Sequence, residues 1–121
     1  MGKQKREIEY DYVARGMVRH LHIPARKARL LTNMIKGMTV RKALNTLTVT
    51  PRPSAVPAIK RLLLSVVASV DRKAHPNTDD LIVSKVYVDG GPMLKRIQAH
   101  AMGRAFRIRR RSCHVTLELG E

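Results

Sequence analysis

The segment "GRAFRIRRRSCHVTLEL", residues 103–119, constrains the fold of this chain more than any other stretch, because one alternating pattern changes its chemistry halfway along. Its second half places four residues suited to a hydrophobic core on one face of a predicted strand: Cys113, Val115, Leu117 and Leu119. Towards the amino terminus the same face continues with Arg107, Arg109 and Arg111. Burying three unpaired guanidinium groups costs more free energy than their packing returns. We therefore expect one end of this strand to lie in a core and the other end to leave it.

The predicted strand is also too long for the domain. A compact chain of 121 residues has a diameter of about 35 Å. A strand from Arg104 to Leu119, at about 3.3 Å per residue, runs roughly 50 Å. A preceding strand, "LIVSKVYVD" (81–89), ends at "GGP" (90–92), so the two strands predict a long protruding hairpin arm at about residues 86–110. Phe106 and Ile108, on its other face, are expected to pack against the partner strand or an external surface.

The residues before this hairpin predict one strand and three helices. The strand is expected at 12–23, with Gly16 marking a bulge. The first helix is predicted over 24–36, with Gly37 at its end, and the second follows Thr39 as its N-cap. The third begins near Pro57, ends before Pro76, and carries the clearest apolar stripe at helical spacing: Ile59, Leu62, Leu63, Val66, Val67 and Val70.

These elements predict an α+β fold. We expect a small antiparallel sheet packed on three helices in a single domain over residues 12–121, with the long β-hairpin arm protruding from it. Residues 1–11, whose charges sum to zero, are expected to form a flexible amino-terminal tail.

The charge of the chain indicates a polyanionic partner. Its formal net charge is +15, and no acid occurs from Tyr12 to Val70 or from Gly90 to Leu117. A solvated surface mixes its signs, so acid-free stretches favour a binding surface. Only three Tyr and one Phe are present, which is too few for a base-stacking platform, and this favours folded RNA recognised by phosphate, sugar and shape.

The predicted RNA-binding residues form two groups. On the hairpin they are Lys95, Arg96, Arg104, Arg107, Arg109, Arg110 and Arg111. Outside it they are Arg15, Arg19, Arg26, Lys27, Arg29, Lys36 and His114. Arg26, Lys27 and Arg29 crowd the first turn of a helix, where cations oppose the macrodipole, so we interpret them as placed for a partner.

Other functional classes find little support in the sequence. One cysteine, Cys113, allows no intrachain disulfide, and it points away from His114 on a strand, which disfavours a nucleophile–base pair. Asp79 and Asp80 fit a hydrated loop better than a metal site. The longest apolar run, 62–70, is too short to span a bilayer. We therefore expect a cytoplasmic protein that is not an enzyme, with no cofactor, no metal, no membrane contact and no small-molecule substrate.

The sequence resembles the L22 family of large-subunit ribosomal proteins in its bacterial form. The resemblance rests on "IPARKARLLTNMIKGMTVRKALNTL" and "VDGGPMLKRIQAHAMGRAFRIRRRSCHVTLEL" and extends over residues 12–120. It implies a structural constituent of the large ribosomal subunit, in contact with 23S-type ribosomal RNA and with neighbouring ribosomal proteins. It also implies that the hairpin tip, expected at Leu94, Lys95, Arg96, Ile97 and Gln98, lines the peptide exit tunnel beside the nascent peptide. The sequence departs from the family pattern at Ala99–Met102, where two usual cations are missing, and at Phe106.

Two other functions remain open at this point. An architectural DNA-binding protein with a β-arm would form a dimer and prefer duplex DNA. An RNA-processing nuclease would need paired acids for a metal, which are scarce here.

Overall fold

A computed structural model describes residues 10–73, 78–99 and 101–121. The elements follow the order β1 (Tyr12–Leu21), α1 (Ala25–Ile35), α2 (Val40–Val49), α3 (Val56–Arg72), β2 (Ile82–Gly90), β3 (Leu94–Ala99), β4 (Ala105–Arg110) and β5 (Cys113–Gly120). The predicted α+β fold, with three helices, an antiparallel sheet and a β-hairpin, is confirmed. Most of the predicted tail, residues 1–9, lies outside the described residues.

The core forms on one face of a three-stranded antiparallel sheet with the order β1-β5-β2. Central strand β5 supplies the alternation that the sequence predicts: Cys113, Val115, Leu117 and Leu119 are all fully buried. Val115 lies between Val18 of β1 and Val88 of β2. These residues join a single hydrophobic cluster with the buried stripes of all three helices.

The helices begin and end largely where the sequence predicts. The Thr39 hydroxyl accepts a hydrogen bond from the Lys42 backbone nitrogen (3.4 Å), which caps α2, and Gly37 after α1 adopts a left-handed φ of 82°. The stripe of α3 is buried apart from half-buried Val67. That helix ends at Arg72; Pro76, the predicted stop, lies outside the described residues. Among the helices described, none is long and apolar enough to cross a membrane.

Gly16 serves a purpose other than the predicted bulge. The pairing irregularities of β1 fall at Tyr12/Ala14 and Val18/Leu21, whereas Gly16 pairs in register with Leu117. A β-carbon at Gly16 would overlap the Val66 Cγ2 methyl of α3 and lie 3.3 Å from Leu62 Cδ1. The bulge prediction is therefore wrong, and glycine is needed because α3 packs directly on the β1 backbone.

The hairpin is a separate two-stranded sheet of β3 and β4, and we call Leu94–Arg110 the arm. It is shorter than the predicted 86–110, because β2 continues to Gly90 in the three-stranded sheet and pairs there with Cys113. The predicted strand Arg104–Leu119 is also divided, since Arg111 and Ser112 lie outside both β4 and β5. Arg111 and Ser112 thus connect β4 of the two-stranded sheet to β5 of the three-stranded sheet.

The turn of the arm lies farther along the chain than the predicted tip. Leu94–Gln98 form most of β3, and Leu94 pairs with Arg110 at the end nearest the domain. The last pair is Ala99 with Ala105, so the chain reverses between these two residues, and the described part of the turn is 101–104. Met102 (φ 66°) and Gly103 (φ 69°) both adopt the left-handed conformation that reverses the chain there. The prediction that Leu94–Gln98 form the tip of the hairpin is therefore wrong, because these residues lie along β3 and not at its end.

Replacing Gly16 by alanine tests the close packing of α3 on β1. We expect Gly16→Ala to lower the free energy of unfolding by about 1–3 kcal/mol, because the new methyl overlaps Val66 and forces a backbone shift. Urea denaturation measures this change. Gly90→Ala is the matched control, since a β-carbon at Gly90 meets nothing within 4 Å. Equal stability of the two variants would contradict the packing account.

Candidate nucleic-acid interface

The register of the arm distributes its cations over both faces of the ribbon. On one face the opposed pairs are Lys95 with Arg109, Ile97 with Arg107, and Ala99 with Ala105. On the other face they are Leu94 with Arg110, Arg96 with Ile108, and Gln98 with Phe106. Each face therefore presents guanidinium groups interleaved with apolar side chains.

Almost the whole arm is exposed. Every residue of β3 is exposed, and in β4 only Ile108 is half-buried. Ile97 is 76% exposed and Phe106 50%, so both present apolar surface to solvent. Phe106 and Ile108 lie on one face opposite Gln98 and Arg96, as expected for side chains that pack across the hairpin. The two faces are thus open to an external partner.

Within residues 10–73, 78–99 and 101–121, no carboxylate forms an ion pair with a cation of the arm. Lys95 and Arg109 are directly opposed, and like charges in that position oppose strand pairing. The stretch from Gly90 to Leu117 has no acid, and the hydrogen bond found for a charged side chain of the arm joins Arg96 Nη1 to the Lys95 carbonyl (3.0 Å). By contrast, Arg41 forms an ion pair with Asp79 at 3.1 Å on the domain. An anionic partner would remove this repulsion.

Several predicted residues of the domain are exposed and so accessible to a partner. They are Arg15 and Arg19 on β1, Arg26 and Lys27 in the first turn of α1, Lys36 at its end, and Arg111 after the arm. Arg104 is exposed at the turn, at the far end of the arm from these residues. The structure therefore separates the predicted set into cations on the arm and cations on the domain.

Arg29 has a structural contact that the sequence did not predict. Its Nη2 donates a hydrogen bond to the Val88 carbonyl (3.0 Å), which ties α1 to β2. It also lies close enough to Cys113 to act on the thiol electrostatically. Arg29 thus helps to hold the end of β2 from which the chain continues to the arm.

His114 is half-buried beside the end of β1. Its Nδ1 accepts a hydrogen bond from the His20 backbone nitrogen (3.1 Å), and the two rings meet edge to face with centroids 5.0 Å apart. His20 adopts a left-handed φ of 56°, unusual for a residue other than glycine. Because Nδ1 accepts this hydrogen bond, the neutral ring carries its proton on Nε2, and that N–H can donate to another partner.

Cys113 is a structural rather than a reactive thiol. It is fully buried in the core, and burial raises the pKa of its thiol above the ordinary value, with Arg29 opposing this by a smaller amount. A raised pKa keeps the thiol neutral and a poor nucleophile.

Sequence reasoning missed the residues that join the arm to the domain. The Gly91 backbone nitrogen donates to the Ser112 carbonyl (2.9 Å), and the Ser112 hydroxyl donates to the Pro92 carbonyl (2.6 Å). The break "GGP" marked the end of a strand here, but nothing in the sequence indicated that Pro92 would be bonded to Ser112, twenty residues farther along.

Removing arginines from the arm should leave the domain intact. We expect the triple variant Arg107→Ser, Arg109→Ser and Arg111→Ser to shift Tm by less than about 3 °C, because all three side chains are exposed. Leu63→Ala, in the fully buried stripe of α3, should lower Tm by roughly 10 °C or more. Differential scanning calorimetry measures both, and a comparable loss in the triple variant would show that these arginines support the fold.

Comparison with known proteins agrees with this architecture. The family described as Ribosomal protein L22p/L17e matches residues 16–120. The protein named Large ribosomal subunit protein uL22 from Clostridium kluyveri is 40% identical over 108 residues, which cover 89% of this chain and 96% of that relative. Proteins of the same name from Citrifermentans bemidjiense and from Geobacter sp. (strain M21) are each 42% identical over 101 residues, or 84% of this chain and 90% of theirs. The chain therefore belongs to the Ribosomal protein L22p/L17e family, in its bacterial form.

Proposed function

We propose that this protein is a structural constituent of the large ribosomal subunit and binds 23S-type ribosomal RNA through its arm. The relatives are named as large-subunit proteins, which supports the first part. The observation that carries the second part is the exposed two-stranded ribbon with cations on both faces and no acid in its sequence.

The arm binds RNA by neutralising phosphates that lie on both of its sides. The planar guanidinium groups of Arg107 and Arg109 match phosphate oxygens on one face, and Arg96 and Arg110 do so on the other. A flat basic patch contacts one backbone, whereas a ribbon with two open faces fits between two. Apolar side chains such as Ile97 lie between these cations and contact sugars and base edges.

The domain adds contacts of its own. Arg26 and Lys27 extend from the first turn of α1, and Arg15, Arg19 and Lys36 are exposed on neighbouring elements. The Nε2 donor of His114 is available to a phosphate or a ribose hydroxyl. Arg29 acts mainly by holding β2, since its Nη2 is bonded to the Val88 carbonyl.

The turn of the arm lines the peptide exit tunnel in this proposal. The described residues just before Arg104 are small or uncharged, and Met102 is 97% exposed. A surface of that kind suits a water-filled passage and a nascent peptide better than it suits a phosphate wall. This assignment moves the tunnel contact from Leu94–Gln98 to the turn between Ala99 and Ala105, which includes Met102 of the Ala99–Met102 departure.

The proposed role is architectural and non-enzymatic. The protein would neutralise packed RNA in the cytoplasmic large subunit, beside other ribosomal proteins. It would contribute through its charge and the shape of the arm, without a chemical step.

The salt dependence of RNA binding tests the electrostatic mechanism. The affinity for a 23S-type ribosomal RNA transcript should fall steeply with salt, by roughly 0.7–0.9 log units per phosphate contact for each log unit of salt. Arg109→Ser should reduce the slope by about one such contact, whereas Arg41→Ser removes the same charge from an ion pair on the domain and should leave the slope unchanged.

Competition distinguishes this function from its main alternative. An excess of duplex DNA should fail to displace the ribosomal RNA, and the chain should co-sediment with large subunits in high salt. A flat salt dependence would refute the electrostatic mechanism. A preference for duplex DNA would instead support an architectural DNA-binding protein.

A further inference from the structure

We propose that Gly91, Pro92 and Ser112 form a clasp that fixes the direction of the arm relative to the domain, and that Ser112 is a positioning residue for RNA binding. The proposal rests on the proposed function, because the direction of the arm matters only if the arm meets a partner of fixed shape.

The clasp joins the two chain segments that connect the sheets. One hydrogen bond runs from the Gly91 nitrogen to the Ser112 carbonyl (2.9 Å), and a second runs from the Ser112 hydroxyl to the Pro92 carbonyl (2.6 Å). Ser112 is only 8% exposed, so its hydroxyl bond is shielded from competing water. Both segments are therefore linked through one buried side chain and its own backbone.

The clasp has no room for a larger residue at its centre. A β-carbon on Gly91 would lie 2.6 Å from Ser112 Oγ and 3.2 Å from His114 Cε1. Glycine is needed here for close approach, and an added methyl would push the Ser112 hydroxyl from its place. The His114 ring also limits the space beside the Gly91 α-carbon.

Sheet pairing alone does not set the direction of the arm. β3 and β4 pair with each other, and the three-stranded sheet has the order β1-β5-β2, so no ladder continues from one sheet to the other. An isolated two-stranded hairpin has little rigidity of its own. The orientation then depends on residues 91–93 and 111–112, which lie between the strands, and the clasp is the hydrogen-bonded link between them.

The domain side of the clasp is itself held. Arg29 of α1 bonds to the carbonyl of Val88 (3.0 Å), two residues before the end of β2. The His20 backbone nitrogen bonds to His114 Nδ1 (3.1 Å), one residue into β5. The clasp thus rests on strand ends that are fixed to α1 and β1, which gives the arm a rigid base.

A fixed direction lowers the cost of binding. The cations of the arm contact phosphates together only when the ribbon points along the path between them. An arm that is oriented before binding loses less conformational freedom on association. A loosened clasp should therefore weaken binding without removing any phosphate contact from the final complex.

The direction of the arm can be measured in the free protein. Spin labels placed by Met102→Cys in the turn and Val49→Cys at the end of α2 report the distance between arm and domain, and both sites are highly exposed, at 97% and 83%. Cys113 is fully buried and stays unlabelled in the native state. We expect a narrow distance distribution for the parent and one at least about twice as wide for Ser112→Ala, because the hydroxyl link is lost.

Two further variants make the result decisive. Gly91→Ala should broaden the distribution in the same way, because its methyl displaces Ser112 Oγ. Ser84→Ala is the control: its hydroxyl also donates to a backbone carbonyl, that of Glu118 (3.2 Å), but within the three-stranded sheet. It should keep the parent width. Parent-like widths in both Ser112→Ala and Gly91→Ala would overturn the clasp.

RNA binding then tests the positioning role. We expect Ser112→Ala to weaken binding to the 23S-type transcript by about three- to tenfold at an unchanged salt slope. A broadened arm with parent affinity, or a reduced slope, would refute positioning. If the parent itself fails to bind the transcript, the proposed function fails, while the distance distributions still decide whether the clasp exists.

Discussion

The structure depends on one electrostatic constraint, a dense set of cations on a narrow ribbon that contains no acid. Lys95 faces Arg109 across the arm, and each face carries further guanidinium groups. Folding this ribbon back onto a positively charged domain would bring like charges together in a poorer dielectric. The arm is therefore exposed, and an anionic partner would relieve the repulsion between its cations.

Strand β5 connects this cationic arm to the core of the domain. From Cys113 onward it is the central strand of the domain sheet, packed against α1 and α3, and before Arg111 the same chain forms β4 of the arm. The change of sheet takes place at Arg111 and Ser112, where the buried serine connects to Pro92 on the opposite segment. The apolar core thus anchors the cationic arm, and a few polar contacts at the junction give it a direction.

The sequence predicted what depends on periodicity and charge. The spacing of apolar residues predicts the buried stripe of α3 and the alternation of β5, and the run of arginines predicts the exposure of the arm. What it missed depends on contacts between distant residues. Gly16 is required by Val66 fifty residues away, and Ser112 is held by Pro92. The tip was expected at Leu94–Gln98 from the family resemblance, whereas the pairing of Ala99 with Ala105 and the left-handed Met102 and Gly103 place the turn farther along the chain.

Chemical modification of arginines by phenylglyoxal, read by mass spectrometry in the free protein and in complex with large-subunit RNA, tests the central claim most directly. Arg107, Arg109 and Arg110 should react rapidly in the free protein, because the ribbon stands clear of the domain, and slowly in the complex, because phosphates cover both faces. Arg41, paired with Asp79 on the domain, should change much less. Slow reaction of the arm arginines in the free protein, or equal reaction in both states, would contradict the account.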